Sequence, residues 1–110
     1  MNLDGKLREI KKVLMSGNTI RIGPHTKDQL MKRGYTRRDI LWCIFNGRIT
    51  EVQKGMNYHV ERICPTYVIA GRDYFENPIA VVISDEGNNT FSLVTTMPPT
   101  DKRRFKETIS

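Results

Sequence analysis

Apolar residues recur at helical spacing along the first stretch of the chain. Leu3, Leu7, Ile10 and Leu14 are separated by Lys6, Arg8, Lys11 and Lys12. That spacing predicts an amphipathic helix from Leu3 to about Ser16, stopped by Gly17. Thr19-Ile20-Arg21-Ile22 alternates polar with apolar and predicts a short strand, broken by Gly23-Pro24. A second helix is expected from His25 to Lys32 and ends at Gly34. Leu30 and Met31 point to its apolar side, and Lys27 sits on that side too, reaching out along its stem. A third helix starts at Thr36-Arg37-Arg38-Asp39. Thr36 is a good N-cap, and Asp39 stands where a capping box usually has Glu. Ile40, Leu41 and Ile44 form its stripe, and Asn46-Gly47 closes it. Trp42 points away from that stripe and is expected to pack under the first helix.

The period then changes from helical to alternating. Arg48 to Gln53 reads as a weak strand and Lys54 to Arg62 as a polar loop holding His59. Thr66-Tyr67-Val68-Ile69-Ala70 is a strand with Pro65 at its edge-tolerant start. Ile79-Ala80-Val81-Val82-Ile83 is a central strand by its unbroken apolar run, and Thr90 to Thr96 is another. Gly71 to Pro78 and Ser84 to Asn89 carry turn residues and suit hairpins. Pro98-Pro99 stops the sheet, and Thr100 to Ser110 reads as a charged tail, a frayed helix with Lys102, Arg103, Arg104 and Lys106. Helices followed by a strand meander predict an α+β fold, with the helices on one face of an antiparallel sheet of about four strands.

Length and charge narrow the picture. A chain of 110 residues suits one domain over residues 1–110 with one modest core. It has 18 Lys+Arg against 12 Asp+Glu, a net charge of +6, which favours a polyanionic partner. The longest apolar run, Ile79 to Ile83, is far short of the roughly 20 residues a spanning helix needs. No membrane association is expected, and the N-terminus reads without a signal peptide. Cys43 and Cys64 stand alone at long spacing, which fits a reducing cytoplasm. A set of Cys43, His59, Cys64 and His25 matches no metal-ligand spacing, so neither metal nor other cofactor is expected.

No phosphate-binding loop, nucleophile elbow, zinc-protease motif or dense carboxylate cluster is present. Attack of a ribose 2′-hydroxyl on its own phosphate suits such a chain. It requires a proton-transfer group near neutral pH, which His provides, and cations for the charge gathering on phosphorus, which Arg provides. His25, Gln29, Lys32 and Arg33 share a polar helix side, and Arg72 and Thr95 are expected to approach from the sheet. His59 is the other imidazole, but no surrounding pattern supports it. Arg37, Arg38 and the Lys102-Arg103-Arg104 tail suit phosphate contact without chemistry. Tyr58, Tyr67, Tyr74 and Phe75 are the residues that could stack on bases.

The stretch Ile22 to Thr96 resembles the bacterial family called domain of unknown function 4258. The resemblance is carried by His25…Leu30-Met31…Arg33-Gly34, by the helix Ile40 to Gly47, by Cys64-Pro65-Thr66-Tyr67-Val68-Ile69-Ala70-Gly71-Arg72, and by Leu93-Val94-Thr95. Asp4 to Gly17 is similar to the start of a subgroup found beside zinc-finger antitoxin genes. The resemblance implies a RelE- and BrnT-like toxin: helices before a twisted antiparallel sheet, metal-independent ribonuclease activity, and an antitoxin over the basic cleft. It puts His25, Arg33 and Thr95 at the family's marked positions. The sequence departs at Pro24, where a small hydroxyl residue is common, at Gln29, where a second Arg is common, and at Met97, where an aromatic often follows the Thr. Three readings stay open: a toxin-type endoribonuclease acting on RNA, a non-catalytic RNA- or protein-binding module, and a structural protein that self-associates, for example as a homodimer.

Overall fold

The computed structural model describes residues 3–98. Three helices come first, α1 (Leu3–Met15), α2 (Pro24–Arg33) and α3 (Arg37–Asn46). Four strands follow, β1 (Arg48–Asn57), β2 (Arg62–Arg72), β3 (Pro78–Gly87) and β4 (Thr90–Met97). The strands form one antiparallel meander in the order β1-β2-β3-β4, so the fold is α+β. The helices cover one face. Leu7, Ile10 and Val13 of α1, Leu30 of α2, and Ile40, Cys43 and Ile44 of α3 are buried there. They meet Ile49, Tyr67, Ile69, Ile79, Val81, Ile83, Phe91 and Leu93 of the strands. Period-2 alternation sends Val68, Ala80 and Val82 to the other face, where Met97 packs on them. No helix covers that second face among the described residues. The predicted tail, Thr100 to Ser110, lies outside the described residues.

The helix ends follow the sequence signals. Pro24 occupies the first turn of α2, where its missing N–H is no loss. At the other end Gly34 takes a φ of 78°, and the N–H groups of Tyr35 and Gly34 donate to Leu30 O (3.0 Å) and Met31 O (3.2 Å). At α3 the capping box forms in full: Asp39 N–H donates to the Thr36 hydroxyl, and Thr36 N–H donates to Asp39 Oδ2 at 2.9 Å. Burial pushes the Asp39 carboxyl up. The backbone donors of Thr36 and Tyr74, the Thr36 hydroxyl and the Arg38 charge together outweigh that, so its pKa is lowered overall.

Five expectations need correction. Thr19 to Ile22 is not a strand but a single parallel bridge between Arg21 and Ser92. Arg21 N–H donates to Phe91 O and Leu93 N–H to Arg21 O, both at 2.9 Å. The Gly23-Pro24 break starts α2 before a second bridge can form. Met31 is exposed, because α2 buries only Leu30 and the next residue lies a further 100° around the helix. Trp42 is also exposed rather than packed under α1. Lys54 to Asn57 continues β1 by pairing with Arg62 to Pro65, and the loop shrinks to Tyr58–Glu61. β1 is an edge strand with few buried positions, so its alternation is faint in the sequence. Pro65 lies inside β2, not at its start. There β2 has only β1 beside it, since pairing with β3 begins at Thr66, so no ladder bond to β3 is lost. Asn88 and Asn89, at φ 53° and 58°, form the tight β3–β4 turn, a mirror-image hairpin turn.

Candidate functional site

The open face of the sheet curves into a groove of about 530 Å³. His25 and Thr26 of α2 border it. Gln53, Gly55, Met56 and Asn57 of β1 and Tyr58 and His59 of the β1–β2 turn also line it. Thr66, Val82, Ser84, Ser92 and Arg21 line it as well, with Gly23, Leu93 and Val94 beside them. Both histidines of the chain therefore face one cavity.

A buried polar cluster builds one end of this groove. The bridge to Ser92 fixes Arg21 beside β4, and alternation turns its side chain away from the core residue Ile20. Arg21 pairs with Glu86 of β3 at 2.5 Å. Asn57 donates from Nδ2 to Glu86 Oε2 at 2.7 Å, and also lies 3.0 Å from Ser84 Oγ and 3.3 Å from Ser92 Oγ. Arg62 donates to the Glu86 carbonyl. Burial pushes the Glu86 carboxyl up, yet hydrogen bonds from Asn57, Arg21 and Ser92 together hold it below the usual carboxylate range. Asn57 then works in the other direction. Its Oδ1 accepts the backbone N–H groups of His59 (3.0 Å) and Val60 (3.3 Å). The Glu86–Asn57 contact thus fixes the turn that carries His59, and an Asx turn is a common way to hold such a bend.

The residues singled out by sequence fall into three groups. His25 lies exposed in the first turn of α2, its Nε2 3.2 Å from Gln29 Nε2. Arg33 and Thr95 do come together: Arg33 donates to Thr95 Oγ1 at 3.3 Å and to Thr96 O at 2.7 Å. His25 and Arg33 do not form one phosphate-sized spot. Eight residues of helix separate them, about 12 Å along the axis, with Gln29 between. Lys32 is drawn to Asp28 at 3.2 Å instead of to this side. The remaining cations lie elsewhere. Arg37 donates to Thr19 Oγ1 and Ile20 O, pinning the α1–α2 connection to α3. Arg38 lies over the Tyr74 ring, 3.9 Å from its centroid. Arg72 donates to Glu76 O and borders a different cavity of about 360 Å³ with Asn46, Gly71 and Glu76. It pairs with Pro78, four residues along β3 from the partner of Thr95, an offset of about 13 Å along the strands with β3 lying between the two residues.

Arg21, Asn57, Ser84, Glu86 and Ser92 belong to no motif that marks them as site residues in the sequence. The alternation of Thr19 to Ile22 did signal that Arg21 faces away from the core. Nothing local signalled that Asn57 and Glu86 meet. Among the described residues, no three His, Cys, Asp or Glu side chains converge as a metal site, and no helix is long and apolar enough to cross a membrane. Cys43 and Cys64 are both free and buried.

What the geometry defines is an α+β domain with a two-histidine groove on its uncovered sheet face. Residues 22–98 match the domain of unknown function (DUF4258), and the chain belongs to that family. No curated protein and no solved structure matches it.

Proposed function

We propose that this protein is a toxin-type endoribonuclease that cleaves RNA without a metal ion, in a reducing cytoplasm. One observation carries the reading: His25 and His59 line the same groove on a chain of net charge +6. One imidazole removes the proton of a ribose 2′-hydroxyl as its oxygen attacks the adjacent phosphorus. The other donates a proton to the departing 5′-oxygen as the P–O5′ bond breaks, leaving a 2′,3′-cyclic phosphate and a 5′-hydroxyl. Arg33 spends one nitrogen on Thr95 and Thr96. A guanidinium has five donors, so others are left for a neighbouring phosphate of the strand. Gln29, between His25 and Arg33, is placed to contact the same strand.

The test is cleavage of a single-stranded RNA by purified protein in the presence of a chelator. Wild type should yield cyclic-phosphate ends. His25→Ala and His59→Ala should each lower the rate about 100-fold or more. Wild type without cleavage, or variants as active as wild type, would refute the proposal.

A second reading, a non-catalytic RNA- or protein-binding module, is favoured by the Arg21–Glu86 pair. That pair neutralises Arg21, the one arginine that lines the groove among the described residues. This reading predicts salt-sensitive RNA binding with no cyclic-phosphate product.

A further inference from the structure

Away from the groove, the outer side of α3 has no helix or strand packed over it among the described residues. Ile40, Cys43 and Ile44 face the core, so the outer side carries two neighbouring rows, Arg37-Leu41-Phe45 and Arg38-Trp42, with about one turn between successive members of each. These residues wall an apolar trough of about 480 Å³ along the helix. Two more rings lengthen it. The β2–β3 turn is tied to α3 by the Tyr74 N–H donating to Asp39 Oδ1 at 3.1 Å, and the Phe75 N–H donates to Asp73 Oδ1 at 2.8 Å. Tyr74 meets Trp42 edge to face at 5.1 Å and Phe75 at 5.4 Å. Trp42, Phe45 and Tyr74 are each more than 40 % exposed, and Phe75 is 69 % exposed. A rigid cluster of Trp, Tyr and Arg in the open has the composition of a binding hot spot.

We infer that this trough is a docking surface for an acidic, amphipathic helix of a partner protein. Rows whose members step by four residues form ridges with a groove between them, into which a ridge of a second helix packs. Over the two turns from Arg37 to Phe45 the trough takes apolar residues at three- and four-residue spacing. Charge selects what flanks them. Arg37 donates only to neutral oxygens and Arg38 rests on a ring, and neither makes a salt bridge among the described residues. A second copy would set Arg37 and Arg38 against their own kind. The chain's last segment, with Lys102, Arg103, Arg104 and Lys106 against Asp101 and Glu107, has the same sign. Nucleic acid fits poorly, since the trough walls are almost entirely carbon and Tyr74 has Arg38 on its ring face. This inference is independent of the nuclease reading.

Trp42 is the only tryptophan, so its fluorescence reports on the trough directly. The full protein is titrated with a synthetic helical peptide carrying Leu at three- and four-residue spacing and Glu beside each Leu. Saturable blue-shifted emission is expected, with binding at least about tenfold weaker for the same peptide with Lys in place of Glu. Arg37→Glu/Arg38→Glu should weaken the Glu peptide to the same degree, and Phe45→Ala should weaken both peptides. All these positions are exposed or half-buried, and circular dichroism checks that the variants stay folded. No shift with the Glu peptide, or equal binding of both peptides, overturns the inference. So does an emission shift that follows protein concentration alone, or displacement of the Glu peptide by oligouridine.

Discussion

Replacing Glu86 with Gln tests whether the buried cluster holds this end of the groove together. Two donors converge on one oxygen, Arg21 at 2.5 Å and Asn57 at 2.7 Å. Gln can still accept both, but each bond loses its charge assistance. A hydrogen bond to a charged group contributes about 1.5–3 kcal/mol and a neutral one about 0.5–1.5 kcal/mol, so two such losses amount to about 2 kcal/mol. Breaking a fully buried ion pair destabilises by about 3–5 kcal/mol. Arg21 keeps 35 % of its side chain exposed and can rehydrate, which keeps the loss near the lower figure. Its pH dependence has a definite sign. The Glu86 pKa is depressed in the folded state. Its charge therefore stabilises the fold above the ordinary carboxylate range, and that contribution fades as pH falls through the depressed value. Urea unfolding should show a deficit of about 2 kcal/mol for Glu86→Gln at neutral pH, shrinking toward zero in acid. Asp39, also depressed, is present in both proteins and cancels from the difference. A deficit that is the same at both pH values would refute the reasoning.

Gly47→Ala should destabilise by about 3 kcal/mol in urea unfolding, since its Cβ would sit 2.4 Å from Ala70 O and 2.6 Å from Cys43 O, backbone atoms that cannot step aside. Gly55→Ala, whose nearest neighbour would be the Thr66 hydroxyl at 3.4 Å, should be far milder, and equal losses would contradict the packing described. Arg33→Ala should lower stability by only about 1 kcal/mol, while RNA binding measured across a salt series loses about one unit of slope; an unchanged slope removes Arg33 from the phosphate path. Burial pushes the Cys43 thiol up to about 12, so a thiol reagent should label it only as the protein unfolds. Equal labelling rates in native and denatured protein would contradict its burial.

The parts of the fold specified by neighbours in sequence were legible in it. The α1 stripe, the capping box of Thr36 and Asp39, Gly34 at the end of α2 and the apolar run of β3 are set within a few residues, and all appear in the structure. What failed depends on distant partners. Trp42 carries no local sign of whether a neighbour will cover it, and the β2–β3 turn supplies Tyr74 beside it without burying it. Lys54 to Asn57 is strand because Arg62 to Pro65 pairs with it, not because of its own alternation. The site divides the same way. The polar side of α2 could be read directly, and Arg33 does meet Thr95. His59 had no supporting pattern because its support is Asn57, and Asn57 is oriented by Glu86, 29 residues further on. Only the sheet register brings those residues together.

The most direct test of the two-histidine groove is an NMR titration that follows the imidazole C–H resonances of His25 and His59. The added ligand is a short RNA with 2′-deoxy substitution, which binds but cannot be cut. Both imidazoles should shift together, saturate at one common concentration and return when salt is raised. RNA that binds while both imidazole signals stay in place would put the nucleic acid elsewhere on the molecule and contradict the account.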